Sequence, residues 1–412
     1  MAYSAGMTRA SSYQTNSIPR RYGAVAMACA APRLSIESRP MLTQPDIDLL
    51  MRGVLLGTFA LSALFGAIMH RTGFCTMGAI SDVITMGETT RLRQWALAAG
   101  VATVGFGVLA AGGWVQAADT VYAGPRWMWL SSIVGGLLFG VGMVLASGCG
   151  ARMLVRLGGG NLKGLIVFLV MGLASYATLR GITAVLRDRT VDQVDVVFNG
   201  PATLGHLAAS MGGWPLPASL LVAALLVGGL LMGWALAGRG FVTRNNLLAG
   251  LGLGGVIVAL WWLSGHLGYL PEHPQTLEPT YLATRSGRME ALTFTGPLAH
   301  TIDWFIFFSD RSQRLSLGVV AVFGLVAGAA LHALATRRFR WEGFRTTEDL
   351  ANHLVGGALM GIGGVTALGC TIGQGLSGIS NLSLTSFTAV AGIFGGAVLA
   401  LKYQGWRVER SL

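Results

Sequence analysis

Apolar runs of about twenty residues recur along the chain, near 49–69, 94–114, 127–147, 163–181, 216–238, 247–265, 315–336, 353–369 and 385–401. A hydrocarbon core about 30 Å thick takes about 20 residues of helix at a rise of about 1.5 Å each, so each run is long enough to cross it. None alternates apolar with polar residues as a lipid-facing barrel strand does, and several carry repeated Gly, as at Gly136 and Gly140, four apart, and Gly142. The expected fold is therefore all-α, a polytopic helical membrane bundle of about nine spanning helices, because lipid leaves no other way to satisfy the backbone. Composition agrees: 53% of the residues are apolar and 11% are charged, where a soluble domain carries about 25% charge.

Glycine supplies 60 of 412 residues and is concentrated in the spans. Helices in lipid associate through close packing rather than a hydrophobic force, so small residues mark a tightly packed bundle. The net charge of +11 calls for no nucleic acid, since Lys and Arg flanking the spans on the cytoplasmic side give the same excess. Four cysteines, Cys29, Cys75, Cys149 and Cys370, form no CxxC pair and no disulfide framework. No phosphate-binding loop of the GxxxxGK[ST] type occurs, and no cofactor or metal is implied.

Residues 1–45 set five Arg against Glu37 among Ser, Thr and Ala, without periodicity. They read as a basic, disordered extension, and Met41 just ahead of the first span suggests a start-site artefact. One transmembrane domain is expected over 46–402, in two repeat halves at about 46–190 and 214–402, with a polar tail at 403–412. The connection over 266–314 holds Pro271, Pro274, Pro279 and Pro297 and reads as an extramembrane cap. Its aromatic stretch Thr301 to Phe308 suits the headgroup interface.

A short template organises the spans: Leu, then Phe or Met, then Gly, with a defined endpoint nine residues after that Gly. It reads Leu64, Phe65, Gly66 to Cys75; Leu138, Phe139, Gly140 to Cys149; Leu231, Met232, Gly233 to Val242; and Leu359, Met360, Gly361 to Cys370. The windows pair, Gly73-Phe-Cys75-Thr76 with Gly240-Phe-Val242-Thr243 and Gly148-Cys149 with Gly369-Cys370, which makes the repeat two-fold. After the endpoints the period stops, and Thr76–Met86, 150–160 and 371–380 read as short broken or re-entrant helices. Internal repeats with interrupted helices in matching places point to a substrate site near the bilayer midplane.

Such a site suits an anion. Several helix N-termini with free N–H groups converging on one point replace part of its lost hydration. Arg152, Arg156, Lys163 and Arg71 stand where they draw anions to the mouths of a pathway, although each taken singly reads as a snorkelling interface residue. A lone membrane cysteine is ordinarily packing. Three at one repeat position are candidates for substrate contact, since a thiol is a weak donor and a polarizable acceptor matched to a soft sulfur atom. In apolar surroundings thiols stay neutral and do not repel an anion. The supporting set is Gly73, Thr76, Gly148, Gly150, Gly369, Thr371, Gln374 and Asn381. Gln374 and Asn381 are suited to bonding oxyanion oxygens or, equally, to joining helices. His70 and His353 read as structural.

The strings His70-Arg-Thr-Gly-Phe-Cys75-Thr-Met-Gly-Ala, Ala146-Ser-Gly-Cys149-Gly and Gly369-Cys370-Thr-Ile-Gly-Gln-Gly-Leu-Ser-Gly378 resemble the YeeE/YedE family of sulfur-compound transporters over roughly residues 50–402. The resemblance implies multi-pass residence in the cell inner membrane and uptake of thiosulfate by a permease. It implies an hourglass bundle whose short helices meet at the waist, and a relay through Cys75, Cys149 and Cys370. The partners it implies are a small sulfur anion, the lipid bilayer and a cytoplasmic sulfur-carrier protein. The alternatives are transport of another sulfur or selenium species, a membrane sulfurtransferase forming a cysteine persulfide, and soft-metal transport. The enzyme needs an activated thiol, and the metal needs Cys, Met and His clustering that the sequence lacks.

Overall fold

The computed structural model describes residues 44–274, 277–310 and 315–411; the basic extension with Cys29 and Met41 lies outside the described residues. The apolar runs become helices: α1 (Gln44–Thr72), α2 (Thr76–Met86), α3 (Thr90–Ala111), α4 (Trp129–Leu145), α5 (Gly150–Gly158), α6 (Leu162–Arg180), α7 (Ile182–Arg189), α8 (Leu204–Gly212) and α9 (Leu216–Leu236). Then come α10 (Arg244–Leu247) and α11 (Leu253–Trp262), continuous through π-turns, α12 (Thr295–Ile306), α13 (Leu317–Ala335), α14 (Thr347–Thr366), a π-turn at Gly373–Gly378 and α15 (Leu384–Ser411). Two small hairpins pair β1 (Arg126–Trp127) with β2 (Val196–Val197) and β3 (Tyr269–Leu270) with β4 (Thr280–Tyr281).

Eight helical stretches among the described residues are long and apolar enough to cross a membrane, counting α1 with α2 and α4 with α5. The ninth expected run, 353–369, forms α14, which is not among them. Its first turn carries Glu348 and Asp349 beneath a Thr346 cap, and its upper part is largely glycine, which adds packing surface but little hydropathy. The segment is helical and packed as expected, and it owes its place to its neighbours more than to its own apolarity.

Glycine sets how closely the helices approach. A Cβ on Gly328 would stand 1.8 Å from the Ala63 carbonyl oxygen, and one on Gly140 would stand 2.2 Å from that of Ile393. These contacts also fix direction. Gly324 meets Phe59 while His70 meets His332, so α1 and α13 run parallel. Gly392 meets Ile133 and Gly396 meets Leu137, so α4 and α15 do too. Gly135 packs at Gly363 and Gly142 at Gly356, so α4 and α14, the helices of the second and fourth windows, are antiparallel.

The loops fall at two ends. One, the cap end, holds both hairpins and the bridges Thr120 to Met289 and Thr203 to Ser383. The other, the basic end, holds the Asn161 to Glu342 bridge and the ion pairs Lys163–Asp349, Arg407–Glu348 and Arg91–Asp82. Within the proline-rich connection, α12 reaches inward: Ile302 lies against Gly172 near the middle of α6, and Leu298 approaches the site of a Cβ on Gly150. Its far end, Phe305 to Phe308, is exposed.

Candidate functional site

Two residues ahead of each template endpoint the backbone turns left-handed: Gly73 (φ 70°), Ser147 (φ 56°), Gly240 (φ 73°) and Leu368 (φ 59°). In the second and fourth windows the closing bonds correspond as well. Gly148 N–H donates to Met143 O and Ser147 N–H to Val144 O; Gly369 N–H donates to Gly364 O and Leu368 N–H to Val365 O. This is the usual way to end a helix with its last carbonyls satisfied, and it reverses the chain. The template is thus a code for stopping one helix and starting another, with the endpoint residue at the start of the second.

Cys75 caps α2 and its Sγ accepts the N–H of Gly78 at 3.4 Å; Cys370 Sγ accepts that of Gly373 at 3.4 Å. Cys149 caps α5 but makes no side-chain cap bond. Gly150 packs on Met171, the central residue of α6, so the start of α5 lies at mid-height in the bundle. The Cys149 thiol faces Thr371 and has Cys75 and Cys370 within electrostatic reach. Cys149 and Cys370 are 1% and 0% exposed in the main core, and Cys75 is half-buried. The structure therefore brings the three cysteines together.

The fourth endpoint does not join them. Val242 is 62% exposed, because α9 packs against α3 and α8 at the edge of the bundle. Thr243, not Val242, caps the next helix by accepting the Asn246 N–H.

The neighbours of the thiols carry unused polarity. Thr76, which follows Cys75, has a buried hydroxyl with no hydrogen-bond partner, as does the Trp95 Nε1, which lies close to Gly375, and the buried Thr371 hydroxyl has none besides the Cys149 thiol that faces it. Gln374 is committed to the protein: its Nε2 donates to Ala367 O at 2.7 Å and its Oε1 accepts from Ser386. Asn381 donates to Thr120 Oγ1 at 2.5 Å and leaves its Oδ1 unpartnered. Gly148 and Gly369 leave room for Met153 and Gln374 beside the turns, and Gly73 leaves its turn open.

A cavity opens on each side of this waist. The cap-end cavity, of about 770 Å³, is lined by Arg126, Arg180, Arg285, Arg288, His300 and Glu290, with Arg126 paired to Asp195 and Arg285 to Asp303, and reaches Tyr122, Thr293 and Gln374. Its floor adjoins Cys370, since a Cβ on Gly373 would meet Thr293 Oγ1 at 2.4 Å and Tyr122 Oη at 3.2 Å. The basic-end cavity, of about 380 Å³, is lined by Arg152, Arg156, Lys163, Arg338, Arg340, Glu342, His70 and His353. Arg71, weighed with these cations from the sequence, is not in its lining. Sequence reasoning missed Trp95, Tyr122 and Thr293, which stand outside the template windows, and it read His70 and His353 as structural though both face a cavity. No cluster of metal-ligating residues occurs among the described residues.

The family described as "Sulphur transport" matches residues 71–399, which include all three cysteines. A thiosulfate transporter, TsuA, of Escherichia coli (strain K12) is 28% identical over 333 residues, covering 79% of this chain and 88% of the relative. TsuA of Spirochaeta thermophila is 28% identical over 338 residues, covering 79% of this chain and 92% of the relative.

Proposed function

Because the chain belongs to the sulphur-transport family, we propose that this multi-pass membrane protein takes up thiosulfate, or a closely related sulfur anion, along a path from the cap-end cavity past Cys370, Cys149 and Cys75 to the basic-end cavity. The observation that carries the reading is the approach of Cys75 and Cys370 to Cys149, whose helix starts at mid-height, with an arginine-lined cavity on either side. Arginines at each mouth raise the local concentration of anions. At the waist, N–H groups at the starts of α2 and α5 and the hydroxyls of Thr76 and Thr371 stand in for water around the oxyanion end. The thiols meet the soft terminal sulfur as weak donors and polarizable acceptors. Passage needs only transient hydrogen bonds, with no covalent bond formed, and both relatives are named as transporters.

Charge sets the orientation. Lys and Arg are more numerous at the basic end, with Arg71, Arg91, Arg93, Arg152, Arg156, Lys163, Arg239, Arg244, Arg337, Arg338, Arg340 and Arg345, than at the cap end, with Arg126, Arg180, Arg187, Arg189, Arg285 and Arg288. An excess of Lys and Arg in short loops marks the cytoplasmic side, so the basic end faces the cytoplasm of a cell inner membrane. A cytoplasmic sulfur-carrier protein would receive the substrate there. The three cysteines and their flanking glycines and threonines belong to a single transporter domain over about 46–402.

Uptake of sulfur-labelled thiosulfate and sulfate by proteoliposomes tests the reading. Thiosulfate should accumulate and sulfate, which lacks a soft terminal sulfur, should not. Equal accumulation of both, or of neither, contradicts it.

A further inference from the structure

We propose that the basic-end cavity contains a second anion site, built by Arg152, Arg156 and His353, that takes a tetrahedral dianionic oxyanion without help from the thiols. The inference rests on the transport reading and adds a release subsite to it.

His353 is 2% exposed yet lines the cavity. Its Nδ1 lies 2.7 Å from the Asp349 carbonyl oxygen and 3.1 Å from Asp349 Oδ1. Two acceptors at Nδ1 require the proton there, and the ring is fixed further by Phe344, edge-on with centroids 5.4 Å apart. Nε2 is left buried without a partner. A buried polar atom without a partner costs about 1–3 kcal/mol in general, and one facing a charged cavity is accounted for by a ligand.

The cations around it are in surplus. Lys163 is neutralised by Asp349 at 2.6 Å, and Glu342, which accepts from Asn161 Nδ2 at 2.7 Å and is within electrostatic reach of Arg156, stands as one carboxylate against Arg152, Arg156, Arg338 and Arg340 in the lining. His70 is held by His332, Nδ1 to Nδ1 at 2.9 Å. Arg152 and Arg156 make no ion pair among the described residues. Both stand on α5, close enough to feel each other's charge, and Arg156 also feels Cys75 and Cys149. Two guanidiniums without an ion pair match the oxygens of a dianion, for which guanidinium forks are suited, and His353 adds a donor when its ring takes a second proton at Nε2 beside the Asp349 carboxylate. An anion leaving the thiols finds its next stabilising contacts here.

Inorganic sulfate is the probe, because it offers the oxyanion without the soft sulfur. Sulfate binding is measured calorimetrically on the full chain in lipid nanodiscs, with thermal unfolding to confirm each variant's fold. Wild type and Cys149→Val should bind sulfate alike. Arg156→Gln and His353→Phe should each weaken binding about tenfold or more, the loss expected for a charged or buried hydrogen bond, while Arg156→Lys retains most of it. His353→Gln, which keeps a polar group at the ring's place, serves if His353→Phe does not fold, and should weaken binding less. Undiminished binding in Arg156→Gln and in the folded His353 variant overturns the site, as does the absence of sulfate binding to wild type. Loss of binding in Cys149→Val equal to that in Arg156→Gln overturns it too, since the anion would then sit at the thiols. Failure of the transport reading appears separately, as thiosulfate uptake by Cys149→Val.

Discussion

Ser147 and Leu368 hold the same left-handed backbone conformation, φ 56° and 59°, each two residues ahead of a buried cysteine. In the other two windows glycine takes this place, at Gly73 and Gly240. A non-glycine residue there costs roughly 1–2 kcal/mol, and a β-branched one more. Ser147→Gly should leave the thermal midpoint unchanged or raised, whereas Ser147→Val should lower stability by a further 1–2 kcal/mol or so. Thermal unfolding in detergent reads both, and a Ser147→Val protein as stable as wild type would remove the turn from the account.

The bundle's close approaches make a second prediction. Gly328→Ala would put a Cβ 1.8 Å from backbone oxygen, while Gly233→Ala meets nothing within 4 Å. The first should lose about 1–3 kcal/mol or fail to accumulate as a monodisperse protein, and the second should stay within about 0.5 kcal/mol of wild type. Size-exclusion profiles and unfolding midpoints separate them. Similar behaviour of the two would mean that these contacts do not set the helix spacing.

Thr371 and Thr76 test the polarity of the waist. The Thr76 hydroxyl is buried without a partner and that of Thr371 faces only the Cys149 thiol, a weak partner, so replacing either with Val should cost little stability. If the hydroxyls meet the substrate, the concentration for half-maximal thiosulfate uptake should rise about five- to tenfold, the worth of one hydrogen bond. An unchanged concentration dependence in both variants would assign them to packing.

Much of this was legible in the sequence, for identifiable reasons. Span length and glycine spacing predict the helices, and the breaks after Cys75, Cys149 and Cys370 fall where α2, α5 and the Gly373–Gly378 turn begin. The template pointed to four equivalent sites because it encodes a turn, and four turns are present. It carries no information on burial, so Val242 at the bundle edge and Cys149 at its centre look alike in the sequence. Helix direction was not legible either, since the antiparallel run of α4 and α14 follows from how many spans lie between them. Nor was the setting of His353 legible, because its unpartnered Nε2 depends on Asp349 one turn earlier together with a cavity built from α1, α5 and the 336–346 loop.

The exposure of Val242 removes it as a precedent for valine at the waist, so the thiols must be tested directly. Cysteine and valine are close in volume, and a core tolerates such a swap at a cost below about 1.5 kcal/mol. The decisive measurement is thiosulfate uptake by Cys75→Val, Cys149→Val and Cys370→Val at matched membrane abundance. The account predicts that Cys149→Val and Cys370→Val insert normally and abolish uptake, with a milder loss in the half-buried Cys75→Val. Near-normal uptake in all three would contradict it and return these cysteines to packing.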